Sequence, residues 1–300
     1  MDNSEIQIDW GSVIIKNYLH QYLSKSDIFT ISQISKKVRQ DLNSILFNTL
    51  TITEDYLYTY QNYFKHETIY TFQNLQYWEK LRLFSKFNFN REIAFKTNQI
   101  DGFVDQLNSE LKDIALNFRT LNFDSLNKAG YFLIPLTYRF LNLSQLTLIS
   151  LEVPLFQFSL ILSKLQKLEI LNLQSISLLK SSEDLEIANI LHFPQSLIEL
   201  TYSLIWIDVT DLPRLSTIEF VTNENLRYTN VDLELTPQYL PNLKKLDYCN
   251  MRLSTQLTKF IELNLQLEYL HLPNIFLDIV NREIIDRMSN LKDLSVHYIG

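Results

Sequence analysis

The side chains best suited to chemistry at neutral pH are thinly spread along this chain. The five histidines are His20, His66, His192, His271 and His297, and no two stand at the spacing that puts a ligand pair on one helix face. Cys249 is the only cysteine, so neither a Cys-x-x-Cys metal knuckle nor an internal disulfide can form. Gly11, Gly102, Gly130 and Gly300 are the only glycines, too few and too far apart for a phosphate-cradling loop. The Gly-x-Ser-x-Gly turn that exposes a nucleophilic serine is also missing. These residues assign no catalytic role, no metal ligand and no cofactor, and the chain reads as a non-enzyme. His271 stands out only through its neighbours in the pattern below, Asp247 and Tyr269; one histidine in such company serves as a contact.

What the residues do encode is a set of elements that presents a surface. Apolar residues recur as L-x-x-L-x-L, with aromatic or β-branched substitutes. The runs are Phe118/Leu121/Phe123, Leu143/Leu146/Leu148, Leu168/Leu171/Leu173, Leu197/Leu200/Tyr202, Leu215/Ile218/Phe220, Leu243/Leu246/Tyr248, Leu267/Leu270/Leu272 and Leu291/Leu294/Val296. The last two apolar positions of each run lie two apart, so they face one side of a short strand. One unit cannot bury that face alone, but stacked neighbours can, with their strands in a parallel sheet. The spacing falls mostly in the range of leucine-rich repeats.

Two further columns extend the match. The ninth position of each unit is apolar at Leu126, Leu151, Ile176, Ile205, Met251, Ile275 and Ile299, and is Asn223 in one unit. The eleventh includes Val153, Leu178, Ile207, Leu253 and Leu277. In the family pattern an Asn at position nine bonds the turn backbone in a ladder. With that Asn mostly replaced, the turns are expected to be held by apolar packing and the solenoid to be irregular. The segments between strands carry helical spacing: 155–165, 182–191, 254–263 with Leu257, Phe260 and Ile261 on one face, and 278–288 with Ile279, Ile284 and Ile285. The expected fold class is α/β: a leucine-rich-repeat solenoid over residues 118–300, with parallel strands on its concave face and helices on its convex face. The chain ends at Gly300 just after the last strand, and a terminal repeat normally needs a polar cap. Either the chain is a fragment or that edge is covered.

Residues between the strand leucines point away from the core. In the C-terminal units these are Glu199 and Thr201, Thr217 and Glu219, Lys245 and Asp247, Tyr269 and His271, and Asp293 and Ser295. The candidate partner-binding face is Glu199, Glu219, Lys245, Asp247, Tyr269, His271 and Asp293. It is acidic in bias, and Tyr269 is its natural aromatic anchor.

Residues 8–48 read as three short helices. Ile15, Leu19 and Leu23 are four apart and form one stripe. Ser26–Asp27 offers an N-cap ahead of Ile28 and Ile31. Ile34, Val38 and Leu42 repeat the four-residue spacing. This stretch resembles an F-box, through Tyr22-Leu23-Ser24, Asp27-Ile28, Ile31-Ser32, Ile34-Ser35-Lys36 and Arg39. The family's opening Leu-Pro is absent, and Val38 stands where the family has Trp. The resemblance implies a substrate receptor of an SCF-type cullin–RING ubiquitin ligase. Its F-box would dock a Skp-type adaptor through Ile15, Leu19, Leu23, Ile28, Ile34 and Val38, and the repeats would hold a target protein. A second reading is an interaction scaffold with no part in degradation. Residues 49–117 read as irregular early repeats or a helical connector, with Leu50 and Ile52 on a possible first strand.

Bulk composition agrees with a binding protein. The net charge is −7 and the densest basic spot is Lys36–Lys37–Val38–Arg39, so a nucleic-acid partner is not expected. The first ten residues are polar and acidic, unlike a signal peptide, and no apolar run is long enough for a membrane span. A lone cysteine suits a reducing compartment, so a cytoplasmic or nuclear location is expected.

Overall fold

The computed structural model describes residues 22–34, 36–53, 101–184, 189–210, 229–250, 255–274 and 282–297. The fold is α/β. Eight parallel strands lie in one sheet: β1 (Thr49–Thr53), β2 (Thr120–Asn127), β3 (Gln145–Pro154), β4 (Ile170–Lys180), β5 (Glu199–Val209), β7 (Lys245–Cys249), β8 (Tyr269–Pro273) and β9 (Asp293–His297), paired in that order. A ninth strand, β6 (Thr229–Asp232), pairs antiparallel with the second half of β5.

The leucine columns explain the register. Leu50, Leu121, Leu146, Leu171, Leu200 and Leu246 are successive partners, and Leu246, Leu270 and Leu294 continue the row. From Leu121 to Leu270 every member is at most 1 % exposed. Burying a leucine contributes about 1.5–3 kcal/mol, and a one-residue slip would turn the whole row out to water. Two tyrosines take leucine positions in the next column: Tyr202 and Tyr248 stack with ring centroids 5.9 Å apart. β1 shows that the pattern starts earlier than residue 118, since Leu50 and Ile52 pair with Leu121 and Phe123.

The strands β3, β4 and β5 run through a corner. Ser150, Ser175 and Leu204 sit there with φ of 54°, 55° and 53°, and Ser125 on β2 has φ 57°. This left-handed conformation is unfavourable for residues with a Cβ. It turns the next residue inward: Leu126, Leu151, Ile176 and Ile205 are buried. These are the ninth-column residues, so apolar packing holds this corner as expected.

A polar ladder nevertheless exists, at a different place. The residue just before the first apolar position of a unit donates to a carbonyl of the preceding turn. Asn142 Nδ2 donates to Leu116 O (2.9 Å), Ser196 Oγ to Leu168 O (2.6 Å), Asn242 Nδ2 to Gln195 O (3.0 Å) and Gln266 Nε2 to Leu240 O (2.7 Å). The turns entering the strands are thus held by side-chain amides and hydroxyls, beside the apolar packing at the ninth-position corner.

Helical connections follow the spacing in part. Helix α5 (Leu155–Lys164) buries Leu155, Phe158, Ile161 and Leu162, and α6 (Thr255–Leu263) buries Leu257, Phe260 and Ile261. Helix α7 (Arg282–Arg287) buries Ile284, while Ile279 lies outside the described residues. The helix expected over 182–191 is reduced, among the described residues, to a single 3-10 turn at Ser182–Asp184. Ser181 Oγ donates to Asp184 (2.6 Å) and closes that turn. Further on, Gln238 grips the extended chain, accepting from Phe193 N–H (2.9 Å) and donating to Leu191 O (3.1 Å). The remaining helices are α3 (101–111) and α4 (Gly130–Leu133).

The unit expected around Leu215, Ile218 and Phe220 lies outside the described residues. β5 is flanked by β4 and β7, so no strand stands between them in the parallel row.

The N-terminal module has two described helices, α1 (Lys25–Ser32) and α2 (Lys36–Leu46), around a small core of Ile28 and Leu42, with Leu23, Ile31 and Val38 packed on it. The N-cap is Ser24 and not Ser26: Asp27 N–H donates to Ser24 Oγ (3.2 Å) and Ser24 N–H to Asp27 Oδ2 (3.1 Å). This reciprocal pairing needs an acceptor at the third helical position, which only a cap at Ser24 provides. Ile34 also departs from its expected place. It lies in the turn before α2, 76 % exposed, and does not join the stripe of Val38 and Leu42. Ile15 and Leu19 lie outside the described residues.

Candidate functional site

The open face of β5, β7, β8 and β9 brings together six of the seven side chains expected there. Glu199, Lys245, Tyr269 and Asp293 are successive register partners, and so are Thr201, Asp247, His271 and Ser295. Strands about 4.8 Å apart put each row within side-chain reach of the next. The leucines between them, Leu200, Leu246 and Leu270, point to the other side and are buried. Alternation along a strand therefore decides both what is hidden and what is shown. Glu219 lies outside the described residues.

Charge is concentrated at this end. The same columns on β1 to β4 carry Thr51, Asn122, Thr147 and Asn172, and Asn122 Nδ2 donates to Thr51 Oγ1 (3.2 Å). From β5 onward the columns carry Glu199, Lys245, Asp247 and Asp293 as well. Lys245 Nζ lies 3.6 Å from Glu199 Oε2. His271 bridges two strands, with Nε2 at 3.2 Å from Asp293 Oδ2 and Nδ1 at 3.8 Å from Asp247 Oδ2. Tyr269 is 38 % exposed, and Lys292 Nζ lies 5.9 Å from its ring centre. Lys292 also holds Glu268 (2.6 Å), which Lys244 reaches from the other side at 3.2 Å. The hydrogen bonds that Lys292 and Lys244 donate pull the Glu268 carboxyl below its ordinary range, and the bond Lys292 donates to Glu268, with the charge of that carboxylate, raises Lys292.

These side chains surround a recess of about 400 Å³ lined by Ile198, Glu199, Lys245, Tyr269, His271 and Asp293, with Lys244 at its edge. A second recess of about 450 Å³, beside the first, shares Ile198 and Lys244 and continues over Glu268 and Asn242. The first opens on the sheet face, and the second runs along the turns that enter β4, β5, β7, β8 and β9. Among the described residues no group of three or more His, Cys, Asp or Glu side chains is disposed to hold a metal ion. Cys249 ends β7 and is half-buried.

Sequence reasoning missed a second polar cluster, beyond the left-handed corner. Asp208 is buried and accepts from Ser177 Oγ and from Trp206 Nε1 (3.1 Å), while its Oδ1 has no hydrogen-bond partner among the described residues. Burial raises the nearby Glu152 carboxyl; Lys128 opposes the shift and the charge of Asp208 adds to it. The signal was present in Glu152, Ser177, Trp206 and Asp208, which alternate with buried Val153, Leu178 and Ile207.

At the module, Leu23, Ile28 and Val38 face its core, while Tyr22, Phe29 and Ile34 are exposed at 84 %, 54 % and 76 %. No described helix is long and apolar enough to cross a membrane. The chain matches no protein-family model, no curated protein and no solved structure.

Proposed function

We propose that this chain is a protein-recognition subunit: a leucine-rich-repeat solenoid whose open, charged sheet face holds a target protein. The observation that carries this reading is the gathering of Glu199, Lys245, Asp247, Tyr269, His271 and Asp293 on four neighbouring strands, opposite a sealed apolar core. A broad face with shallow hollows suits contact with a macromolecule more than enclosure of a small one.

Within that reading, residues 8–48 act as an F-box that docks a Skp-type adaptor, and the chain is the substrate receptor of an SCF-type ubiquitin ligase. The exposed apolar side chains of Tyr22, Phe29 and Ile34 support this role, because they lie outside the module's core and are free to enter a partner. The chain's own contribution to chemistry is positioning, holding the target near a ligase carried by other subunits. The test is capture of a Skp-type adaptor by the full chain, repeated with the double variant Phe29→Asp, Ile34→Asp. Both positions are exposed, so the variant is expected to fold. Binding by the parent and its loss in the variant support the role; no binding by the parent refutes it.

The second reading keeps the recognition face and drops degradation. It is favoured by Val38, which stands where the F-box pattern has a Trp, and by the absent Leu-Pro. A stable complex whose partners keep their lifetimes when the chain is deleted would support it.

A further inference from the structure

We infer that the surface around residues 138–142, where the chain enters β3, docks an acidic segment of a partner protein that also carries apolar side chains. This surface lies apart from the charged sheet face and does not depend on the reading of that face.

Four cations are gathered there. Arg119 Nη1 donates to Asn142 O (3.1 Å) and Lys167 Nζ to Asn142 Oδ1 (2.8 Å). Residues from the turns entering β2 and β4 thus meet on the turn between them. Arg139 ends the 3-10 stretch Ile134–Arg139 and donates through Nε to Asn108 Oδ1 of α3 (2.6 Å). Lys164 ends α5, with its Nζ 4.5 Å from the Tyr138 ring centre. All four residues are exposed. Their contacts are with neutral groups: a backbone carbonyl, two side-chain amides and a phenol ring. None of the four is paired with a carboxylate. At the β5–β9 end, in contrast, Lys244, Lys245 and Lys292 are each held against one.

The carboxylates on the neighbouring helix and turns are Asp101, Asp105 and Glu110 on α3, Asp113 beyond its end, and Glu169 at the entry to β4. None of them takes one of the four cations; Glu110 accepts from Gln106 Nε2 (2.8 Å), and Glu169 lines the second recess, toward β5. An incoming carboxylate therefore displaces no internal ion pair. Arg119 uses one N–H on Asn142 O and keeps others for a carboxylate. Charges at physiological salt act over about 8 Å. The local cations, and not the net charge of −7, govern what settles here.

Apolar side chains stand among the cations. Leu116 and Leu141 are 58 % and 51 % exposed, and their turns are joined by the bond from Asn142 Nδ2 to Leu116 O. On α5 the exposed Leu160 and Phe156 lie one and two turns before Lys164, so this stripe runs into the patch. Exposed leucines beside unpaired cations match a ligand that offers both carboxylates and aliphatic side chains. A nucleic-acid backbone offers the charge alone.

The experiment uses the full chain and fluorescently labelled peptides, (Glu-Leu-Glu)3, (Glu-Ser-Glu)3 and (Ser-Leu-Ser)3, followed by fluorescence anisotropy at low salt. The expected result is binding of (Glu-Leu-Glu)3, weaker binding of (Glu-Ser-Glu)3 by about threefold or more, and no binding of (Ser-Leu-Ser)3. Two double variants, Arg119→Gln with Lys167→Gln and Arg139→Gln with Lys164→Gln, should each weaken (Glu-Leu-Glu)3 about threefold to tenfold, the range of two exposed ion pairs. Lys259→Gln, which removes an exposed cation from α6, should leave binding unchanged. The inference is overturned if (Glu-Leu-Glu)3 does not bind, if (Ser-Leu-Ser)3 binds equally, or if both double variants bind as the parent does. Tighter binding of a short oligothymidylate or of phosphatidylserine vesicles, lost in the same variants, would assign the patch to a polyanion and overturn the protein partner.

Discussion

Asn264 is the residue whose loss the structure prices most clearly. It lies in the turn that launches β8, the strand carrying Tyr269 and His271, and its side chain is fully buried. Its Oδ1 accepts from Leu240 N–H (2.9 Å), and its Nδ2 donates to Gln238 O (2.8 Å) and Phe260 O (2.7 Å). One amide thus ties α6, the entry to β7 and the chain around Gln238. In Asn264→Ala the Leu240 N–H and the Gln238 carbonyl lose these partners. Each buried orphan costs about 1–3 kcal/mol. The space vacated admits a water that recovers part of this, which puts the expected loss at about 3 kcal/mol. That is a large share of a total stability of about 5–15 kcal/mol. The assay is equilibrium unfolding in urea followed by far-UV circular dichroism. With a slope of about 3 kcal/mol per molar, the midpoint should fall by about 1 M. Asn142→Ala is the comparison, because it removes one ladder bond and one bond from Lys167 Nζ, both exposed to solvent, and should cost about 0.5–1 kcal/mol. The reasoning is refuted if the two variants unfold together, or if Asn264→Ala stays within about 0.2 M of the parent.

Two further outcomes follow from the core. Tyr202 is buried, donates to Leu233 O (2.8 Å) and stacks on Tyr248, and burial, with the charges of Tyr248 and Glu234 adding, holds its phenol well above the ordinary range. The folded state therefore keeps the proton more tightly than the unfolded chain, so this group's contribution is fully present below about pH 10 and is lost as pH rises further. Alkaline titration by ultraviolet difference absorbance should show Tyr202 ionising only as the chain unfolds, and Tyr202→Phe should make alkaline unfolding less steep; an unchanged profile would contradict this. Gly130 opens α4 against β3, and an added Cβ would stand 2.9 Å from Glu152 O and 3.2 Å from Leu151 Cβ. Gly130→Ala should cost about 1–3 kcal/mol by overpacking, read as a lower thermal midpoint in calorimetry; a rise in the midpoint would mean that β3 yields.

What the amino-acid order determined by itself is the alternation. Leu121/Phe123, Leu146/Leu148 and their counterparts lie two apart, and a strand places such residues on one side whatever it pairs with. The same local rule sent Glu199, Lys245, Tyr269 and Asp293 to the other side, so the candidate face could be read before any neighbour was known. Leu257, Phe260 and Ile261 were legible for the same reason, at helical spacing.

Tertiary structure decided the rest, because it depends on which strands meet. β5 pairs directly with β7 across a long stretch of chain, and no local period reports a choice between distant partners. His271 could be set beside Asp247 by counting, but its closer contact is Asp293, on the strand beyond. The Asn142, Ser196, Asn242 and Gln266 ladder escaped notice since each side chain bonds a carbonyl of another turn. The left-handed Ser150, Ser175 and Leu204 are neither glycine nor asparagine, so nothing in their type announces the corner; the burial of Leu151, Ile176 and Ile205 beyond it holds them there. At the module, Ser24 and Ser26 are equal candidates as caps by type alone, and the position of Asp27 on the folded helix selects Ser24.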